Sequence, residues 1–186
     1  MTHVKVCGIK SADMARQARL AGADFLGIVM TASPRQVSWE SARGIVEALP
    51  DAPIIAVGMD VDEKWLQAIL ELSVWGVQLH GGTPERWIDM VHRAGRRAIA
   101  TILDEAADIV LLDNRRPGRG EPWEWRKPKF LRPIWLAGGL SPHNVHEVVR
   151  ALGPDGVDVS TGVERNGEKD PQLIRDFIQE VRRVDN

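Results

Sequence analysis

The sequence predicts an α/β fold in which eight short buried strands alternate with helices along 186 residues. The first observation is that eight apolar runs are separated by six or seven helical patterns and by loops. The second is that the runs are continuously apolar, which is typical of parallel strands buried on both faces. The third is that Val4–Cys7, the first run, lacks the G-x-G-x-x-G of a dinucleotide-binding sheet. Together they predict a closed (β/α)8 TIM barrel, trimmed from the usual ~250 residues.

The composition indicates a single barrel domain spanning residues 1–186, since 44% of residues are hydrophobic and no linker interrupts them. The formal net charge of −2 excludes the basic surface that nucleic acid or an anionic membrane would require. We find no signal peptide and no membrane span. Cys7 is the only cysteine, which predicts a reducing, cytoplasmic location. The scattered histidines form no metal site, so we expect neither metal nor cofactor.

Turn and capping residues bound the predicted elements. Ser11 and Ser38 are predicted helix N-caps, Asp62 begins the third helix, and Ser141 caps another helix with proline at its first position. Two further helices are predicted to begin with a Thr-Pro-Glu sequence, Thr83–Glu85, and an Asp-Pro sequence, Asp170–Pro171. The eight predicted strands are Val4–Cys7, Phe25–Met30, Ile54–Met59, Trp75–Leu79, Ala98–Ile102, Ile109–Leu112, Ile134–Ala137 and Val157–Val159.

Strands five and six are joined by too few residues for a helix. Only six residues lie between Ile102 and Ile109, whereas a parallel crossover usually takes about a dozen. The fifth helix should therefore be reduced to a turn or loop. Outward side chains of these strands would then be uncovered, unless neighbouring helices and tryptophans, or a second subunit, cover them. We therefore expect a possible homodimer that uses this region or the strand-end rim.

The last two strands end in glycines and small hydroxyl residues. Gly138 and Gly139 follow strand seven, and Ser160, Thr161 and Gly162 follow strand eight. Loops after these two strands commonly bind phosphate in (β/α)8 barrels, because exposed backbone N–H groups and a helix N-terminus attract anions. These five residues are the candidate phosphate site. The alternative is that they form two ordinary glycine-rich turns.

Four side chains with possible chemistry follow other strands. They are Cys7, Arg35, His80 and Asp113, which supply a thiol, a guanidinium, an imidazole and a carboxylate. Active sites of such barrels lie at the carboxyl ends of the strands, so we expect the four to meet there. Cys7 could instead be a small buried hydrophobic residue. His80 could be a structural hydrogen-bonding residue, and Arg35 a solvated loop arginine.

The sequence resembles the phosphoribosylanthranilate isomerase family. The resemblance covers almost the whole chain, in the right order, and is carried by Val4–Lys10, Ser33–Ser38, Val77–Gly81, Leu111–Asp113, Leu136–Val145 and Asp158–Glu164, with Lys169 and Asp170 behind the last. It departs from the family after Asp113, where the run at residues 114–120 contains three arginines and keeps only two glycines.

This resemblance implies an Amadori rearrangement in tryptophan biosynthesis. N-(5-phosphoribosyl)anthranilate would be converted to 1-(carboxyphenylamino)-1-deoxyribulose 5-phosphate, with Cys7 as the general base and Asp113 as the general acid. Arg35 would bind the anthranilate carboxylate, and His80 would bind substrate. The three arginines could draw in the anionic substrate or merely solvate the rim. No metal or cofactor is implied, because the iminium formed on ring opening is itself the electron sink.

Two alternatives remain. The first is another phosphosugar isomerase or epimerase on the same barrel, and the second is a non-catalytic barrel that binds a phosphate ligand. Epimerases of that group use metal ligands, which the strand ends lack, and a non-catalytic protein would need neither Cys7 nor Asp113.

A last expectation concerns the barrel interior. Strand periodicity places Lys5 beside Asp158 when strand eight meets strand one, so we expect a buried ion pair.

Overall fold

The computed structural model describes residues 1–82, 85–113 and 128–185. Eight parallel strands form a closed barrel in sequential order, as predicted, and β8 pairs with β1 to complete it. The strands are β1 His3–Cys7, β2 Phe25–Val29, β3 Ile54–Met59, β4 Gly76–His80, β5 Arg97–Ala100, β6 Ile109–Asp113, β7 Ile134–Ala137 and β8 Gly156–Val159.

Six α-helices are present in the described part of the chain. Ser11, Ser38 and Asp62 are confirmed as N-caps, because their side chains accept hydrogen bonds from backbone N–H groups three residues later. The Thr83-Pro84 start lies outside the described residues. None of these helices is long and apolar enough to cross a membrane. They are α1 Ala12–Leu20, α2 Trp39–Ala48, α3 Glu63–Leu70, α4 Glu85–Arg93, α5 Val145–Leu152 and α6 Pro171–Asp185.

The connection between β5 and β6 contains no helix, as predicted. Residues 101–108 form bends and turns, and β5 ends two residues earlier than expected. The outward residues Ala98, Ala100 and Val110 are fully buried within the chain, so of the two coverings expected for these strands, the one by neighbouring parts of the chain is observed. Helix α4 contacts β5, and the loop before β6 places Ala107 in the same buried cluster.

The predicted start of the helix after β7 is wrong by three residues. Helix α5 begins at Val145, with Asn144 at the N-cap position instead of Ser141. Asn144 draws the preceding residues into a turn: its side chain accepts a hydrogen bond from the Ser141 N–H (2.8 Å) and donates one to the Gly139 carbonyl (2.9 Å). The Ser141 hydroxyl still accepts a hydrogen bond from the His143 N–H (3.3 Å), and its carbonyl accepts one from the Val145 N–H (3.1 Å), so this turn leads directly into the helix.

A short segment after β8 was not predicted. A 3₁₀-helix, Thr161–Val163, leads into an antiparallel hairpin of β9 Glu164–Arg165 and β10 Glu168–Lys169. The turn between them places Asn166 and Gly167 at positive φ, which is the conformation that an Asn-Gly hairpin turn requires. This hairpin brings two charged side chains back toward the barrel end.

The barrel interior is plugged at the amino ends of the strands. Phe25 stacks in a tilted arrangement on Trp75 and Trp135, with ring centroids 4.8 and 4.9 Å apart. Gly156 makes room for this plug, since a Cβ there would lie 2.6 Å from the Trp135 indole. Aromatic packing of this kind stabilises the core and fills the lower barrel. The reactive groups are consequently confined to the opposite, carboxyl end.

The predicted ion pair between β1 and β8 is present. The Lys5 ammonium donates to the Asp158 carboxylate at 3.0 Å, and the two side chains are 0% and 10% exposed. Burial opposes a charge on Lys5, but the Asp158 carboxylate and the nearby Cys7 thiol raise its pKa above the ordinary value. Lys5 therefore remains a cation inside the barrel.

Breaking this pair from one side should strongly destabilise the protein. Asp158→Asn leaves the Lys5 ammonium buried without its counter-charge, and we expect the free energy of unfolding to fall by about 3–5 kcal/mol. Glu168→Gln is the matched control, because it removes the carboxylate from the exposed ion pair with Lys10 and should change stability by less than about 0.5 kcal/mol. Urea unfolding measures both changes. Equal stability of the two variants would contradict a structural role for the pair.

Candidate active site

Cys7 and Asp113 end β1 and β6 and face the barrel interior. Cys7 belongs to the same buried interior cluster as Leu111 and Ala137. Asp113 follows Leu111 by two residues in β6, so the two side chains share the inner face. The structure therefore places both predicted catalytic residues at the carboxyl end of the barrel, with Asp113 half-buried and Cys7 buried.

The Cys7 thiol lies in a tight and charged environment. A Cβ on Gly27 of the neighbouring strand would be 2.8 Å from the Cys7 sulfur, so only glycine leaves room for the thiol. Burial raises the pKa of Cys7 above its ordinary value; the Lys5 ammonium lowers it, the Asp158 carboxylate raises it, and the Lys169 ammonium lowers it. The two cations thus partly offset the desolvation of the thiolate.

Arg35 and Lys169 are joined by one carboxylate. Glu164 accepts hydrogen bonds from the Arg35 Nε (2.6 Å) and Nη2 (2.8 Å), and from the Lys169 Nζ (2.5 Å). The hydrogen bonds from Arg35, opposed by burial and assisted by Lys169, hold the pKa of Glu164 at about 2. Glu164 therefore stays ionised and fixes the orientation of the guanidinium beside the strand ends.

Glu164 and Lys169 were not assigned a role by sequence reasoning. Both lie in stretches that carry the family resemblance: Glu164 ends the Asp158–Glu164 stretch, and Lys169 lies just behind it. The Asn166-Gly167 turn between them is a recognisable hairpin signal, and a hairpin would have placed the two side chains side by side. That signal was available in the sequence and was missed.

The candidate phosphate residues come together at the ends of β7 and β8. Gly138 and Gly139 both have positive φ, of 84° and 70°, which turns the chain sharply after β7. Gly162 packs directly against the Leu140 carbonyl, so a side chain there would collide with the backbone of the other loop. Ser160 accepts hydrogen bonds from Lys169 through both its carbonyl (3.1 Å) and its hydroxyl (3.3 Å).

Thr161 begins the 3₁₀-helix and is exposed, which completes the candidate phosphate set at this corner of the barrel. Phosphate binding by these residues stays a prediction.

His80 ends β4 and is half-buried. Its Nε2 lies 2.6 Å from the Nε2 of Gln78, which shares its face of the strand. The Gln78 side-chain oxygen is buried and has no hydrogen-bond partner among the described residues. One ring nitrogen of His80 is thus occupied by a structural contact, and its role in binding substrate stays a prediction.

Within residues 1–82, 85–113 and 128–185 no group of three or more His, Cys, Asp or Glu side chains is arranged to hold a metal ion. The arginine-containing run at residues 114–120 lies outside the described residues. The two roles suggested for its arginines, attracting the anionic substrate or solvating the rim, therefore stay predictions.

The fold and the site together define a (β/α)8-barrel enzyme, with acid–base groups and cations gathered where the strands end. The family described as "N-(5'phosphoribosyl)anthranilate (PRA) isomerase" matches residues 4–180, and this chain belongs to it.

Individual proteins of this family are similar over nearly their full length. The N-(5'-phosphoribosyl)anthranilate isomerase of Desulforudis audaxviator is 40% identical over 98% of both chains. Monomers derived from the dimeric enzyme of Thermotoga maritima are 30% identical, with a TM-score of 0.81 over 98% of this chain and 99% of that one. A phosphoribosyl anthranilate isomerase in complex with reduced 1-(o-carboxyphenylamino)-1-deoxyribulose 5-phosphate is 28% identical, with a TM-score of 0.78 over 98% and 99%.

Proposed function

We propose that this chain isomerises N-(5'-phosphoribosyl)anthranilate to 1-(carboxyphenylamino)-1-deoxyribulose 5-phosphate in tryptophan biosynthesis, with Cys7 as the general base and Asp113 as the general acid. The observation that carries the proposal is the placement of a cation-flanked thiol and a half-buried carboxylate on the inner face of one barrel end. Family membership supplies the substrate.

The proposed reaction opens and then rearranges the sugar. Asp113 protonates the ring oxygen, the furanose C–O bond breaks, and a protonated Schiff base forms at C1. Cys7 removes the proton from C2, and the electron pair of that C–H bond moves toward the positively charged nitrogen. The resulting enolamine gains a proton at C1 and loses one from its C2 hydroxyl, which gives the ketone. Overall C1 is reduced and C2 is oxidised, so no external oxidant or reductant is needed.

The electrostatics of the site suit a thiol base. A buried thiol in an apolar surrounding is a poor source of thiolate, because burial raises its pKa. Lys5 and Lys169 act in the opposite direction, and the Schiff-base cation would add a third positive charge only while the C2 proton is being removed. This arrangement favours proton transfer in the intermediate over a permanently ionised thiol.

The substrate offers two anions, and the site offers two places for them. The Arg35 guanidinium, held in plane by Glu164, would bind the anthranilate carboxylate with the planar geometry that such pairs prefer. The turns at Gly138-Gly139 and Ser160–Gly162 would take the phosphate, next to the Lys169 ammonium that joins Ser160 to Glu164. His80 would contact the substrate from the end of β4. We assign no metal or cofactor to the reaction.

A second proposal concerns assembly. Three large apolar side chains are exposed on the rim where β3 and β5 end: Met59 (57%), Ile102 (49%) and Leu103 (52%). Only β4 separates these strands, so the three residues lie on the same sector of the rim. A second copy of the chain would remove them from water, and a dimeric relative supports this homodimer.

We also propose a reducing, cytoplasmic location, because the proposed base is a free thiol that must escape oxidation. Nucleic acid is not a proposed partner, since the formal net charge is −2.

Removing either proton-transfer group should abolish most turnover without unfolding the barrel. Cys7→Ala and Asp113→Asn should each lower kcat by about 10²–10⁴-fold, which is typical of general acid–base groups. Binding of reduced 1-(o-carboxyphenylamino)-1-deoxyribulose 5-phosphate, followed by calorimetry, should survive both changes. The control is Asp104→Asn in the β5–β6 loop, which should keep normal turnover. Near-normal kcat in Cys7→Ala would exclude Cys7 as the base.

Placing a charge in the apolar rim should separate the proposed dimer. We expect the wild-type protein to have about twice the chain mass of 20.7 kDa, and Leu103→Asp to shift it toward monomer, because a carboxylate would be desolvated in the contact. Leu131→Asp is the control, since Leu131 is also exposed but precedes β7 at the opposite end. Light scattering after gel filtration measures the mass. A monomeric wild-type protein would refute the assembly.

A further inference from the structure

We propose that Lys169 is a positioning residue of the isomerase site, whose buried ammonium stabilises the thiolate form of Cys7 and links it to the phosphate loop. The inference deepens the proposed function and rests on Cys7 being its base. Lys169 was assigned no role by the family resemblance, and it comes from the unpredicted hairpin that follows β8.

The geometry holds the Lys169 ammonium next to the end of β1. Its Nζ would lie 3.3 Å from a Cβ on Gly8, the residue that follows Cys7, and Arg35 packs against the same point. Glycine at this position has a φ of 85°, so it both turns the chain and leaves space for the two cationic side chains. A longer side chain at residue 8 would push both cations away from Cys7.

Three hydrogen bonds fix the ammonium in this position. Lys169 donates to Glu164 and to both the carbonyl and the hydroxyl of Ser160, and its side chain is only 4% exposed. Burial lowers the pKa of Lys169, and the Glu164 carboxylate opposes that change. A buried lysine with its donors engaged in this way carries a charge that solvent cannot screen.

The charged groups around Cys7 come from three elements. Lys5 lies on the same strand, Asp158 on the neighbouring β8, and Lys169 on β10. Lys5 has the largest effect opposing burial on the pKa of Cys7 and also hydrogen-bonds the thiol, and the Asp158 carboxylate offsets part of that effect. Glu164 and Arg35 form an ion pair beside Lys169. Glu164 is one carboxylate shared by two cations, so Arg35 and Lys169 together leave one surplus positive charge beside the end of β1, and removing Lys169 cancels it.

The contact between Lys169 and Ser160 also couples the Lys169 ammonium to the candidate phosphate site. Ser160 is a proposed phosphate residue, and Lys169 binds both its carbonyl and its hydroxyl. A phosphate bound at this loop would compete for the hydroxyl and would attract the ammonium. The position of Lys169, and with it the ionisation of Cys7, should therefore depend on whether the phosphate site is occupied.

The test measures the ionisation of Cys7 directly and does not depend on activity. The chain contains one cysteine and no tyrosine, so thiolate ultraviolet absorbance can be followed against pH without a phenolate signal. Lys169→Gln keeps hydrogen-bonding groups near Glu164 and Ser160 but removes the charge. We expect the pKa of Cys7 to rise by about one unit, which means about tenfold less thiolate at neutral pH.

Two companion variants separate charge from structure. Lys169→Arg restores the charge and should return the Cys7 titration midpoint most of the way to its wild-type value. Lys10→Gln removes a cation that follows β1 and pairs at the surface with Glu168 of the hairpin, and it should leave the midpoint unchanged. A midpoint in Lys169→Gln equal to that of the wild-type protein would overturn the proposal.

If Lys169→Gln does not fold, the effect of Cys7 on the pKa of Lys169 tests the same coupling. Coupling between two ionising groups acts on both, so Cys7→Ala should lower the pKa of Lys169, read from the ¹³Cε resonance of labelled lysine. An unchanged Lys169 titration overturns the proposal. A shifted Cys7 midpoint in a protein without isomerase activity would instead reject the proposed function and leave the electrostatic inference standing.

Discussion

The ion pair between Lys5 and Asp158 is the interaction on which the rest of the structure depends. It joins the first strand to the last inside the closed barrel. An ammonium and a carboxylate in that position are stable only with each other, so the pairing of β1 with β8 and the pairing of the charges reinforce one another. The closure places Cys7 beside β8 and beside the loop and hairpin that follow it.

The two ends of the closed barrel differ in the side chains that they contain. At the amino end the barrel interior is filled by tilted aromatic rings. At the carboxyl end the alternation of the strands turns Cys7 and Asp113 inward, and the hairpin after β8 adds Glu164 and Lys169. Charge near the thiol is therefore supplied by a part of the chain more than 150 residues away, which the barrel brings back.

Much of this organisation was predictable from the sequence, for identifiable reasons. The continuous apolar runs predicted the eight strands. Alternation of side chains along β1 and β8 predicted the Lys5–Asp158 pair, and the small number of residues between β5 and β6 predicted that no helix joins them. Predictions failed where a side chain competed with a local signal. Asn144 ties Ser141 into a turn, which displaces the helix start that Ser141-Pro142 indicated. The roles of Glu164 and Lys169 depend on a contact with Arg35 across the barrel end, which local spacing could not reveal.

The same distinction applies to the covering of β5 and β6. Counting residues correctly excluded a helix, but whether apolar surface stays exposed depends on side-chain size. Ala98 and Ala100 are small and are covered by α4 and by the loop before β6, whereas the exposed apolar groups lie further along, at the rim. Volume and position on the strand, rather than loop length, decided where the chain leaves apolar surface in water.

The central claim is that this barrel end catalyses an Amadori rearrangement, and substrate turnover by the unmodified protein tests it most directly. Freshly prepared N-(5'-phosphoribosyl)anthranilate should lose its anthranilate fluorescence when the protein is added, at a rate proportional to protein concentration. Mass spectrometry should show a product of unchanged mass, as an isomerisation requires. Tight binding of the substrate without any acceleration of its conversion would contradict the account and would favour a barrel that only binds phosphate ligands.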